Sequence, residues 1–136
     1  MTKKCIFCEI VNGKIPCYKV YEDKNILAFL DIQPVNPGHT LVIPKKHYKG
    51  MESIPIIELQ QVILAVKKVG SAIKSSISPK GYNIGLNNGH LSGQIVSHLH
   101  FHIMPRRKGD GHHLWKQGEY KEGQADQVLT KIKGKL

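Results

Sequence analysis

Three histidines alternate with apolar residues in Ser97-His98-Leu99-His100-Phe101-His102-Ile103-Met104. On an extended strand, side chains at i, i+2 and i+4 share one face. The three imidazoles then stand in a row while Leu99, Phe101 and Ile103 point to a core; on a helix the rings would scatter around the axis. A neutral imidazole is a nucleophile toward phosphorus when one nitrogen is free and the other is held as a donor, and it is also a common metal ligand. The strand is therefore either an active site or a metal site. Just before it, Asn87-Asn88-Gly89-His90-Leu91-Ser92-Gly93-Gln94 is polar and glycine-rich. Glycine lets backbone N–H groups approach an anion closely, so this loop reads as a phosphate cradle. Asn87 and Gln94 would add uncharged amide donors. Near the start, Cys5-Ile6-Phe7-Cys8 forms a C-x-x-C pair that admits redox chemistry, zinc or coincidence. No thioredoxin-like pattern surrounds it, so zinc leads if two further ligands exist.

These groups need a frame. A short helix is expected to carry the two cysteines and to end at Asn12-Gly13, a favourable C-terminal pair. Residues 18–22 and 26–30 read as a hairpin around Asp23-Lys24-Asn25. Residues 31–38 form a loop stiffened by Pro34 and Pro37, and a third strand follows over 39–44, with His39 at its entry and His47 past its end. The one long helix spans 56–77, with Leu59, Val62, Ile63, Val66, Val69 and Ile73 as its apolar stripe and Pro55 in its first turn. Its task is to cover one face of a sheet. A fourth strand is expected over 82–87, and the histidine strand should stop at Pro105. Past Arg106-Arg107, a last helical stretch carries Ala125, Val128, Leu129 and Ile132 on a short apolar face. Strands with one long and two short helices place the chain in the α+β class with an antiparallel sheet.

The 136 residues suit a single domain, its core over about 5–105 and a C-terminal extension over 106–136. A hydrophobic content of 40% argues against wholesale disorder. No apolar run approaches the roughly 20 residues a membrane span needs. The basic start Met1-Thr2-Lys3-Lys4 is followed by Cys-Ile-Phe-Cys-Glu rather than by a signal-peptide core, so a cytoplasmic location is expected. Three cysteines cannot all pair, which counts against a disulfide scaffold, and Cys17 reads as an ordinary strand residue. The net charge of +10 is mainly lysine, a solvated surface that also draws phosphate-bearing ligands. Nucleic acid is not expected as a partner, because no aromatic residues are interleaved with the basic ones.

With these pieces assembled, the chain resembles the histidine-triad (HIT) family of nucleotide hydrolases and transferases. The resemblance runs from Cys5 to about Tyr120 and is carried by His98-Leu99-His100-Phe101-His102-Ile103, by Gly93-Gln94, and by Pro37-Gly38-His39-Thr40-Leu41-Val42-Ile43-Pro44-Lys45-Lys46-His47. Cys5-Ile6-Phe7-Cys8-Glu9-Ile10 resembles the zinc-bearing prokaryotic branch. The resemblance implies a five-stranded antiparallel sheet, a homodimer, and hydrolysis of purine nucleotide esters, anhydrides or phosphoramidates through a covalent nucleotidyl-histidine. It implies His100 as nucleophile, with His102 and His39 positioning phosphate and ring. It implies Asn87, Gly93 and Gln94 at the phosphate and Asp31 at the ribose hydroxyls of an AMP-like substrate. Ile6, Phe7, Ile10, Phe29 and Ile32 would then wall an apolar purine slot. His47 and His98 would complete a closed, structural zinc site with Cys5 and Cys8. One departure stands out: where some members carry a hydroxyl, two residues after the conserved glycine, this chain has Ile95.

Three other readings compete. One makes the triad histidines together a zinc metallohydrolase site with an open position; that leaves Cys5, Cys8 and His47 without a role, and few carboxylates are close in sequence. A zinc-stabilised module that binds nucleotides without turnover would not need His100. A nucleotidyltransferase would pass the nucleotide to a phosphorylated acceptor in place of water.

Overall fold

The computed structural model describes residues 4–136; residues 1–3 of the basic start lie outside the described residues. Helix α1 (Ile6–Val11) begins at Cys5 and ends where expected, Asn12 N–H and Gly13 N–H reaching back to the carbonyls of Cys8 and Ile10. Strands β1 (Lys19–Glu22) and β2 (Ile26–Leu30) form the hairpin, and Asp23 Oδ1 accepts from Asn25 N and Ile26 N at 2.8 Å each. This side-chain-to-backbone turn is what aspartate favours between strands. Strand β3 (Thr40–Pro44) follows, then helix α2 (Ile56–Ser76), strand β4 (Gly81–Gly85), a 3-10 turn (His90–Ser92), strand β5 (Phe101–Arg106) and helix α3 (Gln124–Lys133).

The five strands make one antiparallel sheet in the order β1-β2-β3-β5-β4. The alternation of each strand divides its residues between two cores. Ile26, Ala28, Val42, Leu99, Phe101 and Ile103 meet α2 on one face. On the other face, Leu27, Phe29, Leu41 and Ile43 meet Phe7 of α1. The α+β class and five-stranded antiparallel sheet are as expected, and α2 covers one face as its stripe required. The stripe itself is shifted: Ala65 and Gly70 are buried, whereas Ile63 is exposed beside Leu64 on the outward side. The helix lies so close to the sheet that a Cβ at Gly70 would meet the Tyr82 ring at 3.3 Å, so a residue without a side chain holds that position.

Strand limits also differ: β1 and β3 each start one residue later than expected and β4 one residue earlier. Strand β4 runs over Gly81–Gly85 and stops two residues short of Asn87. Strand β5 begins at Phe101, so His98 and His100 lie ahead of it; in that segment Leu99 N–H turns to Tyr48 O at 2.7 Å. At its other end β5 passes through Pro105 to Arg106. Pro105 is tolerated because β3 starts at Thr40, opposite Ile103, and the Pro105 carbonyl on that side is taken by Asn36 Nδ2 at 2.9 Å. The N–H that proline lacks would have faced no strand there. Cys17 sits ahead of β1, half-buried against the α1-side core. No helix among the described residues is long and apolar enough to cross a membrane.

Candidate active site

The histidine row leaves the sheet on the α1 face. His98 and His100 are buried, and the Phe7 ring stands edge-on to both, with centroids at 5.9 and 5.1 Å. The His100 and His102 centroids are 4.9 Å apart. Each ring has one nitrogen committed to a neighbour, and that commitment assigns the proton. His98 Nε2 lies 2.7 Å from Pro44 O, so it donates and leaves its Nδ1 lone pair free. His100 Nδ1 lies 2.7 Å from His98 O, so it donates and leaves Nε2 as the lone pair. His39 Nδ1 accepts from Val35 N at 3.1 Å, which puts the His39 proton on Nε2. That Nε2–H donates to His102 Nδ1 at 2.9 Å, and the His102 proton must then be on Nε2.

Protonation of these rings is disfavoured. Burial pushes His98 and His102 down to about 4, and it also lowers His100 and His39. Removing a cation from water costs more than the nearby carboxylate returns. Among the described residues no buried side-chain nitrogen or oxygen lacks a partner, so His100 Nε2 and His102 Nε2, which make no hydrogen bond, are open to solvent or a ligand. Two neighbouring rings, their centroids 4.9 Å apart, thus offer one lone pair and one N–H donor.

Asp31 approaches this pair, its Oδ2 being 3.7 Å from His39 Nε2 while its Oδ1 accepts Gln33 N at 2.8 Å. Phe7 and Phe29 are interior, edge-to-face at 5.5 Å, and Ile10 packs half-buried against them. Ile6 and Ile32 are exposed, so the apolar residues proposed from sequence separate into a buried floor and exposed flanks. Gly93 holds φ +92, where only glycine is unstrained, and a Cβ there would meet Asn87 Nδ2 at 3.3 Å. Asn87 Nδ2 lies 3.4 Å from Gly93 O. Gln94 is braced inside its own loop: its amide nitrogen donates to Lys49 O at 2.7 Å and Val96 O at 3.2 Å, and its Oε1 accepts Gly89 N at 2.9 Å.

A second group lies against the first. Cys5, Cys8, His47 and His98 present ligand atoms all within 4.8 Å of one another. Sγ of Cys5 and of Cys8 stand 3.5 and 3.6 Å from His98 Nδ1, and Cys8 Sγ is 3.4 Å from His47 Nδ1. Burial, reinforced by the Cys5 thiol, pushes the Cys8 thiol up to about 11. Two thiols and two imidazole lone pairs facing a common point can hold a metal ion. Among the described residues the other such group is Asp31, His39 and His102. The three triad histidines do not converge as one set. His98 belongs to one group, His102 to the other and His100 to neither, which removes the geometric basis of the metallohydrolase reading. A cleft of about 580 Å³ opens beside Cys5 and His47, lined also by Ile6, by residues 95–97 and by Lys4 and Lys49. Those two lysines carried no assigned role in the sequence, where they were indistinguishable from solvated surface charge.

The chain matches the HIT domain family over residues 12–109. It is 53% identical over 130 residues to a HIT-like protein of Methanocaldococcus jannaschii, a match covering 96% of this chain and 99% of that one. It is 47% identical over 102 residues to an adenosine 5'-monophosphoramidase of Schizosaccharomyces pombe, covering 75% and 74% of the two chains. Among solved structures, a zinc-bound histidine triad family protein from Mycobacterium smegmatis superposes with a TM-score of 0.76 at 32% identity, covering 97% of both chains.

Proposed function

The chain belongs to the HIT family, and from that premise we propose that it hydrolyses purine nucleotide phosphoesters, anhydrides or phosphoramidates through a nucleotidyl group carried on His100. One observation carries this reading: His100 Nδ1–H is pinned on His98 O, which leaves Nε2 as an open lone pair next to the His102 Nε2–H donor. Nε2 attacks the α-phosphorus and the bond from phosphorus to the leaving group breaks. The charge that develops on the phosphoryl oxygens is met by His102 and by the 95–97 backbone, since the N–H groups of Gly93 and Gln94 are spent on His90 O and Gly89 O. Water then cleaves the phosphorus–nitrogen bond, releasing the mononucleotide and restoring His100. Ile95 supplies no hydroxyl, so the leaving group takes its proton from another donor, the His102 Nε2–H or water. The monophosphoramidase activity of the yeast relative supports this substrate class.

The remaining assignments are proposed on the contacts that support them. Asp31 accepts the ribose hydroxyls through Oδ2, since Oδ1 is already used by Gln33 N. Phe7, Phe29 and Ile10 make the floor of the purine slot, and Ile6 and Ile32 close on the base. His39 sets His102. Gly93 and Asn87 shape the phosphate loop, and Gln94 acts by bracing it. A second copy of the chain is the expected partner, covering the Ile56, Ile57, Ile63 and Leu64 that α2 leaves outward.

Cys5, Cys8, His47 and His98 are proposed to hold zinc. With zinc–sulfur bonds of about 2.3 Å and zinc–nitrogen bonds of about 2.0–2.1 Å, a tetrahedral ion needs sulfur–nitrogen edges of about 3.6 Å; the three measured separations are 3.5, 3.6 and 3.4 Å. Four protein ligands close the site. The ion would pin α1 onto the sheet and have no part in activating water, and the zinc-bound mycobacterial neighbour supports its identity. The test of the reaction is hydrolysis of adenosine 5'-phosphoramidate by the His100→Ala variant. Turnover should fall by about a thousandfold or more, while AMP binding persists; near-normal turnover would refute the assignment.

A further inference from the structure

The hydrogen bonds that orient His39 continue just past the family-matched segment, which ends at residue 109. They converge on Asp110, whose side chain is only 6% exposed and accepts five donors. Arg106 grips it from the end of β5 through Nε at 2.8 Å and Nη2 at 3.1 Å. Arg107 N and His112 N add bonds of 3.1 and 3.0 Å, and Asn36 Nδ2 one of 3.0 Å. The Arg106 guanidinium, first among these partners, holds the Asp110 carboxyl far below the usual carboxylate range. Arg106 is itself tied to β4 through Asn83 Oδ1 at 2.9 Å. The turn after β5 is therefore fastened to the sheet.

Two strands of this network lead into the loop before β3. Asn36 joins Asp110 to Pro105 O, and its carbonyl accepts His39 N at 3.1 Å. Gly111, at φ +75, lets the chain reverse so that His112 Nε2 reaches Val35 O at 2.9 Å. Val35 is thus held by its carbonyl, while its N–H donates to His39 Nδ1.

We propose that Asp110 and His112 are positioning residues, acting through Val35 to hold His39, and with it His102, in the tautomer that phosphoryl transfer requires. This rests on the reading of His102 as the donor beside the His100 nucleophile. The His39–His102 pair has two neutral arrangements. With Val35 N–H on His39 Nδ1, the shared proton sits on His39 Nε2, and His102 turns its Nε2–H outward. Without that donor the pair can reverse: His39 keeps its proton on Nδ1, His102 donates from Nδ1, and its Nε2 becomes a lone pair. A lone pair facing a phosphoryl oxygen repels the charge that develops in the transition state. For metal-ligating histidines, partners that fix the tautomer typically change affinity or activity about ten- to a hundredfold, and an effect at the lower end of that scale is expected for this metal-free pair.

His112 is exposed, so its replacement tests the idea without threatening the core. The experiment compares wild type, His112→Ala and His112→Gln, the last keeping an amide donor at the reach of Nε2. Nitrogen-15 NMR reads the tautomers of His39 and His102, and steady-state kinetics uses adenosine 5'-phosphoramidate. His112→Ala should show mixed tautomers in both rings and a kcat reduced about tenfold, with KM nearly unchanged, and His112→Gln should restore both. Unchanged ring nitrogens in His112→Ala would overturn the proposal, as would a fall in kcat without a tautomer change, which would reduce the clamp to a structural brace. Failure of the underlying reaction appears elsewhere: wild type would then form no nucleotide adduct on His100, whatever the tautomers of the variants.

Discussion

His98 and His100 stand two residues apart in one extended segment, both buried and both against Phe7, yet the structure prepares them for opposite work. His98 gives its Nε2 proton to Pro44 O and turns Nδ1 toward two thiols and a third imidazole. His100 gives its Nδ1 proton to His98 O and turns Nε2 toward open space. Four lone pairs or thiols converge in the first region; in the second, one lone pair sits beside one donor. Residue type is the same in both. What differs is which nitrogen a backbone carbonyl has claimed, and in the function proposed above that choice separates a closed ligand cage from a nucleophile.

Five substitutions would break or sharpen this contrast. The largest effect belongs to the His100 side: the thousandfold loss on His100→Ala should leave bound metal unchanged when zinc is measured by atomic absorption. The reverse is expected on the His98 side. Cys5→Ser or Cys8→Ser should lose the metal and lower the melting temperature by on the order of 10 °C, with a smaller effect on the rate. Zinc retained after both cysteines are replaced would move the ion into the triad and abolish the contrast.

Asp31→Asn is the next in size. It should weaken ribonucleotide binding about tenfold, the scale of a hydrogen bond to a charged acceptor, and weaken 2'-deoxynucleotides less, as read by calorimetry. Equal weakening would remove Asp31 from the sugar. The smallest effect concerns the clamp behind His39. The carboxyl of Asp110 is depressed in the folded state, so its contribution to stability is full above the unfolded value of roughly 4 and is lost as pH falls below it. Asp110→Asn should therefore melt lower than wild type at pH 7, and the two melting curves should draw together on acidification below about pH 4. A gap that persists at low pH would contradict the ionic origin of the clamp.

Much of the frame was legible because it rests on periodicity. The alternation of histidines with Leu99, Phe101 and Ile103 gave the facing of β5, and the spacing of Val62, Val66, Val69 and Ile73 gave the buried side of α2. The tautomers were not legible, since Pro44 O, His98 O and Val35 N–H are backbone atoms that every sequence possesses. The role of Gln94 was hidden for a related reason: an amide beside a phosphate loop and an amide bracing that loop look alike in sequence. His112 and Asp110 lay in a glycine-rich run past the histidine strand, and nothing but the folded turn brings them to Val35. The spacing Arg106-x-x-x-Asp110 was the one available hint of the clamp.

The central claim is the division of labour between adjacent triad histidines, and one measurement meets it directly. Metal-loaded wild-type protein is mixed with adenosine 5'-phosphoramidate labelled with phosphorus-32, quenched in alkali during turnover, and mapped by peptide mass spectrometry. The account predicts an acid-labile adenylyl group on His100 alone, with His98 unmodified because its free nitrogen belongs to the thiol group. A label on His98 or His102, or turnover with no labelled protein at all, would contradict it.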